Sequence, residues 1–113
     1  MTETTAAGQD TGYNGHTNYE TWCVALWLGY DEATYHTVRS MAANAKEAAR
    51  TDRRVAQGYW EAERAPLYLL AEALKELVDE AAPDLGQTLF SDLLNAALSE
   101  VDWQDVAEGF LED

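Results

Sequence analysis

From Thr17 onward, apolar residues recur at three- and four-residue spacing, and no stretch alternates with period two; that spacing predicts helices. The first begins at Thr17-Asn18-Tyr19-Glu20. This run fits a capping box, in which the Thr17 hydroxyl takes the amide three residues on and Glu20 reaches back, with Asn18 as the rival cap. The helix is expected to run to about Leu28, where Gly29 supplies a left-handed residue to end it. Trp22-Cys23-Val24-Ala25-Leu26-Trp27-Leu28 is apolar throughout and short enough to be a buried strand. The cap before it, the glycine after it and its Ala and Leu content favour a helix. A helix apolar on all sides belongs at the centre of a fold, so Trp22 and Trp27 are expected in the core.

Further along, Asp31 caps a second helix, with Tyr30 and Tyr35 placed for a hydrophobic staple. Tyr35, Val38, Met41, Ala42, Ala45 and Ala49 give it one small-residue face. Thr51-Asp52 either stops this helix or caps another. Residues 51–64 have helical composition, but Gly58 and Pro66 forbid one regular helix straight through. A third helix is predicted from about Pro66 to Ala81, on the stripe Leu67, Leu70, Ala71, Leu74, Leu77, Val78 and Ala81. Pro83-Asp84-Leu85-Gly86 is a turn. A fourth helix follows over Gln87 to Ser99, with Phe90, Leu93, Leu94, Ala97 and Leu98 inward. Asp102 caps the last, Val101 and Val106 forming its staple; its apolar face is Trp103, Val106, Ala107, Phe110 and Leu111. The expected fold class is all-α: a compact bundle of four to five short helices around a buried, Trp-rich first helix. Residues 1–15 lack periodicity and large apolar content, and read as a disordered tail before a single helical domain over 16–113.

Composition narrows the function. The length of 113 residues suits one domain. The lone Cys23 rules out an internal disulfide and fits a reducing compartment. Met1 to Gly15 has neither a basic residue nor an apolar stretch, so no signal or transit peptide is expected. The longest apolar run falls far short of the ~20 residues that span a bilayer, and a cytoplasmic location is expected. Net charge is −14 and uneven: residues 39–75 hold all seven bases, whereas 76–113 hold eleven acids and no base. Such a chain repels DNA and anionic lipid and approaches basic partners quickly.

Motifs that carry chemistry are missing. There is no Gly-rich phosphate loop, no His-Glu-x-x-His and no Gly-x-Ser-x-Gly. His16, Cys23 and His36 lack zinc-motif spacing and a fourth ligand. The paired carboxylates Asp79/Glu80, Glu100/Asp102 and Asp105/Glu108 fall opposite apolar stripes, on solvated faces. The expectation is therefore no enzyme, no cofactor and no metal. Two sets of residues stand out for partner binding. Glu100, Asp102, Asp105, Glu108 and Glu112 are the densest acids, and Asp105, Glu108 and Glu112 share one face of the last helix. Tyr59, Trp60 and Arg64 lie near Arg53 and Arg54, an aromatic-plus-arginine mix typical of binding hot spots.

Asn18-Tyr19-Glu20-Thr21-Trp22, followed by Val24, Leu26 and Trp27, resembles the N-terminal signature of a family of small uncharacterised proteins from bacteriophages, plasmids and bacterial genomes. Asp92-Leu93-Leu94 through Val101-Asp102-Trp103 and Val106-Ala107 resembles a later element of that family. The resemblance carries over no active site. It implies a mobile-element setting, which together with the acidic surface points to a non-enzymatic inhibitor or modulator that binds a basic protein. The concrete form is a DNA-mimic-like antagonist of a host defence nuclease, anti-CRISPR or anti-restriction. Acids in 76–113 fall about 5 Å apart along helical stretches, against about 3.4 Å per phosphate on one DNA strand. The alternative is a helical adaptor that binds through Tyr59, Trp60 and Arg64.

Overall fold

Six helical segments make up the computed structural model, which describes residues 12–112. They are α1 (Tyr19–Tyr30), α2 (Glu32–Ala49), the single turn α3 (Arg53–Ala56), α4 (Ala65–Ala81), α5 (Leu89–Ser99) and α6 (Trp103–Leu111). Among the described residues the extended pairing is one isolated bridge, Tyr13 with His16. The all-α bundle predicted from periodicity is the fold.

Short polar side chains set most helix starts. Asp31, Asp52 and Asp102 each accept an amide from the first turn that follows. Thr88 and Ser91 close a reciprocal capping box at α5. At α1 the cap is Asn18, whose Oδ1 accepts the Thr21 amide at 2.9 Å; Thr17 is engaged elsewhere. Gly29 does not end α1. It stays helical with a Phe110 ring carbon 3.9 Å from where its Cβ would sit, and Asp31 both stops α1 and opens α2. Pro66 falls in the first turn of α4, where its missing N–H costs nothing.

The core is an α2–α4–α6 sandwich. Val38, Ala42 and Ala45 of α2 meet Leu70, Ala71 and Leu74 of α4, with Val101, Val106 and Ala107 from the α6 side. Val38, Leu70, Leu74 and Val106 are sealed from solvent almost completely. The small side chains of α2 let α4 approach closely, as ridge-into-groove packing requires. The second staple forms as predicted, since Val101 and Val106 are both buried.

Two expectations about burial are overturned. The first helix is not the enclosed centre: α1 buries Thr21 and Leu28, while Leu26 is 47%, Trp27 64% and Tyr30 78% exposed. A helix apolar all round needs neighbours on every side, and α2 and α6 cover only one. Trp22 is half-buried, in ring contact with Tyr13 and Tyr19. Nor do Phe90 and Leu93 of α5 point inward; both are exposed, and α5 contributes no buried residue. The apolar faces of α4 and α6 are largely spent on α2 and on each other, and Leu94, Ala97 and Leu98 of α5 are only partly covered. The Tyr30–Tyr35 staple is also absent, because Tyr30 turns to Trp27 and Tyr35 packs on Phe110.

Residues 12–15, read as part of a structureless tail, form a tight turn; residues 1–11 lie outside the described residues. Tyr13 and His16 exchange backbone hydrogen bonds at 2.9 and 2.7 Å, and Asn14 and Gly15 between them have φ of 47° and 87°. Two consecutive positive φ values are what a type I′ turn demands, and Asn-Gly is its preferred pair.

Candidate functional site

The turn leads the chain into α1 against the α5–α6 junction, far away in sequence. Thr17 donates through its backbone amide to Asp105 at 2.8 Å, and through its hydroxyl to Asp105 at 2.8 Å and Asp102 at 3.1 Å. His16 Nδ1 lies 2.7 Å from the other Asp105 oxygen. Asn18 donates from Nδ2 to the Glu100 carbonyl at 2.7 Å while its Oδ1 caps α1. Thr21 has no exposed surface, and its Oγ1 accepts the Asp102 amide at 2.9 Å. Six hydrogen bonds among seven residues thus fasten the start of α1 to the α5–α6 junction. Burial alone would raise the Asp105 carboxyl, but hydrogen bonds from the Thr17 hydroxyl and amide and from His16 outweigh it and hold it below the ordinary carboxylate range.

This clamp changes the meaning of the acidic set. Asp102 is a helix cap and a clamp acceptor, and Asp105 is satisfied by His16 and Thr17. Glu100 takes part through its backbone carbonyl and leaves its side chain exposed. Glu108 and Glu112 are exposed and line a shallow groove with Glu63, Arg64 and Leu67. An adjoining groove of about 310 Å³ runs past Thr17, Asp105 and Glu108 and shares Arg64. The structure therefore brings Arg64 of one candidate set beside Glu108 of the other.

The second set is divided. The Arg54 guanidinium sits over the Trp60 ring at 3.7 Å from its centroid, and the Trp60 ring packs on Tyr68 at 5.1 Å. Arg54 is held from its far side by Asp52 at 3.0 Å and Glu72 at 3.3 Å. Arg64 Nε donates to the Tyr68 hydroxyl at 3.0 Å. Trp60 and Arg64 are thus tied to their own fold, whereas Tyr59 is 77% exposed. Arg54, which the sequence placed only as a neighbour of the set, is the residue that organises the cluster.

Among the described residues no three His, Cys, Asp or Glu side chains gather as a metal site. His16 belongs to the clamp, and His36 faces Glu32 at 3.8 Å on the outer side of α2. No helix among them is long and apolar enough to cross a membrane.

A sequence model of a family of unknown function, DUF7249, matches residues 9–108. The chain belongs to that family. The DUF7249 match takes in both halves of the clamp and the whole Arg54–Trp60–Tyr68 cluster, while Glu112 lies beyond it. No curated protein and no solved structure matches the chain.

The largest departure from the sequence-derived site is the outer face of α1. Tyr19, Cys23, Leu26, Trp27 and Tyr30 follow one another at helical spacing along one side, and each is half or more exposed apart from Leu26, at 47%, and the half-buried Cys23. An apolar stripe of this kind on a helix turned to water is the signal that a reading based on core filling passes over.

Proposed function

We propose that this DUF7249 chain is a non-enzymatic acidic protein that acts by binding a partner protein with a basic surface. Its finer form is an inhibitor of mobile-element type, working in the bacterial cytoplasm against a host nuclease whose nucleic-acid-binding surface it covers. The observation that carries the reading is the one-sided charge: residues 76–113 hold eleven acids and no base. Three of the seven bases are meanwhile drawn into local ion pairs, Arg54 with Asp52 and Glu72, Lys75 with Asp79, and Arg50 with Glu47. With Asp102 and Asp105 committed to the clamp, the charge contact falls to Glu100, Glu108 and Glu112, all exposed near α6.

The test is capture of partners from host lysate on immobilised wild-type protein and on a Glu100→Lys/Glu108→Lys/Glu112→Lys variant. None of the three side chains is a helix cap with a side-chain bond or a clamp donor, so the fold should survive, as circular dichroism will show. The expected result is a basic, nucleic-acid-binding partner held by wild type, released as salt screens exposed charge over about 8 Å at physiological strength, and lost by the variant. A partner that the triple reversal binds as tightly as wild type at low salt ends the charge-contact reading.

A further inference from the structure

We infer that the outer face of α1 is a docking surface for a helix of a partner protein, one that presents apolar residues flanked by basic ones. The inference rests on the basic-partner reading for its charge and on the geometry of α1 for everything else. On one side α1 is packed through Thr21 and Leu28, with Val24 and Ala25 beside them against the core. On the other, Tyr19, Cys23, Leu26, Trp27 and Tyr30 fall at i, i+4, i+7, i+8 and i+11, a strip that keeps to one face of a 3.6-residue helix. With Tyr19 at 52%, Leu26 at 47%, Trp27 at 64% and Tyr30 at 78% exposure, it leaves on the order of 500 Å² of these side chains in water, taking ~150–250 Å² for each aromatic. That equals the largest apolar patch usual on a monomer and supplies the core, not the whole, of a standard interface of about 800 Å² per partner.

The rim decides the occupant. Glu20, Asp31 and Glu32 stand at the ends of the strip, and no Lys or Arg occurs before Arg39. A second copy laid antiparallel would set Glu20 against Asp31 and Glu32 of its mate, like charge on like. Residues 1–11 offer one large apolar side chain, Met1, and no Lys or Arg, so they match neither the strip nor its rim. A partner helix with Leu-like anchors and flanking Lys or Arg satisfies both, in the way amphipathic helices dock onto apolar surfaces. The exposed pair Trp27–Tyr30, ring centroids 6.0 Å apart, is the kind of rigid aromatic anchor that dominates interfaces.

The test uses three synthetic amphipathic peptides of equal length and the full chain, with binding read by fluorescence anisotropy of the labelled peptide. One peptide pairs Leu with Lys, the second replaces every Leu by Ser, and the third replaces every Lys by Glu. The Leu/Lys peptide should bind wild type at least tenfold more tightly than either of the others. It should lose at least tenfold on a Leu26→Ser/Trp27→Ser/Tyr30→Ser variant whose circular dichroism matches wild type. Equal binding of the Leu/Lys peptide to wild type and to this variant removes α1 as the docking surface. Equal binding of the Leu/Lys and Ser/Lys peptides, lost on Glu108→Lys/Glu112→Lys, overturns this inference and leaves the charge reading standing. A Leu/Glu peptide that binds as tightly as Leu/Lys refutes the basic partner. Self-association, or uptake onto phosphatidylcholine vesicles, that the triple serine variant abolishes gives the face to a second copy or to lipid and likewise overturns the inference.

Discussion

Replacing Thr21 by Val tests whether the Asn18–Thr21 run is a structural clamp. The two side chains have nearly the same shape, so Val fills the same enclosed space and opens no cavity. What disappears is Oγ1, the acceptor of the Asp102 amide at 2.9 Å. An intramolecular hydrogen bond contributes about 1 kcal/mol net, and leaving a donor unsatisfied in a part-buried place costs about 1–3 kcal/mol. We expect a loss of about 2 kcal/mol, which for a domain of this size lowers Tm by about 8–16 °C. Thr21→Ser is the control. It keeps the acceptor and removes one methyl group worth about 0.8 kcal/mol by transfer, so Ser should be tolerated better than Val. Urea unfolding followed by far-ultraviolet circular dichroism reads both variants, with an unchanged m value showing that stability alone has moved. A Thr21→Val variant within about 0.5 kcal/mol of wild type, or one more stable than Thr21→Ser, refutes the clamp.

Asp105→Asn should destabilise at neutral pH by an amount that shrinks in acid. The Asp105 carboxyl is held below its ordinary value of 3.8 in the fold. Its contribution is therefore present above the unfolded value and disappears as pH falls through the folded one. Unfolding curves of both proteins at pH 7 and pH 3 check this, and a gap that is constant or wider in acid counts against it. Trp27→Ala should cost less than about 1 kcal/mol, because its ring is already in water and Ala favours a helix. Trp22→Ala should cost about 2 kcal/mol through lost contacts with Tyr13 and Tyr19; equal losses at the two sites would show that the faces of α1 are assigned wrongly. Amide hydrogens of α5, which buries no residue, should exchange at least about tenfold faster than those at the centres of α2 and α4. Equal protection would mean that α5 opens only with the whole fold.

How far the sequence could be read depended on whether the signal was local. Asp31 and Asp102 announce their helices because a cap acts over three residues, and the Val101–Val106 staple is as short. The faces of α2 and α4 were readable because apolar and polar positions alternate clearly around them. Around α1 they do not: with almost every position apolar, periodicity has no direction, and nothing separates the side that meets α2 and α6 from the side that meets water. For α5 the pattern gave a face but could not say that its neighbours would cover it only in part. The Asn14-Gly15 turn was visible as a dipeptide and was hidden by the composition around it. The clamp is harder, since Thr17 and Asp105 are 88 positions apart. One local hint existed: Thr21 is a hydroxyl that opens an apolar run.

The span of that clamp bears on how the chain is made. Its hydrogen bonds join residues separated by 81 to 89 positions. Contacts so distant close late, because the loop entropy must be met before they can form. On a ribosome adding about 5–20 residues per second, an emerged α1 would wait on the order of 5–20 s for Asp102 and Asp105 to follow it. During that interval the part of its inner face that α6 will cover is as bare as its outer one. A nascent helix that is apolar on every side is a target for holdase chaperones and a hazard for aggregation. Slow codons placed between α1 and α6 should therefore lower the soluble yield of the unchanged protein, a cost that no measurement on the finished fold would reveal.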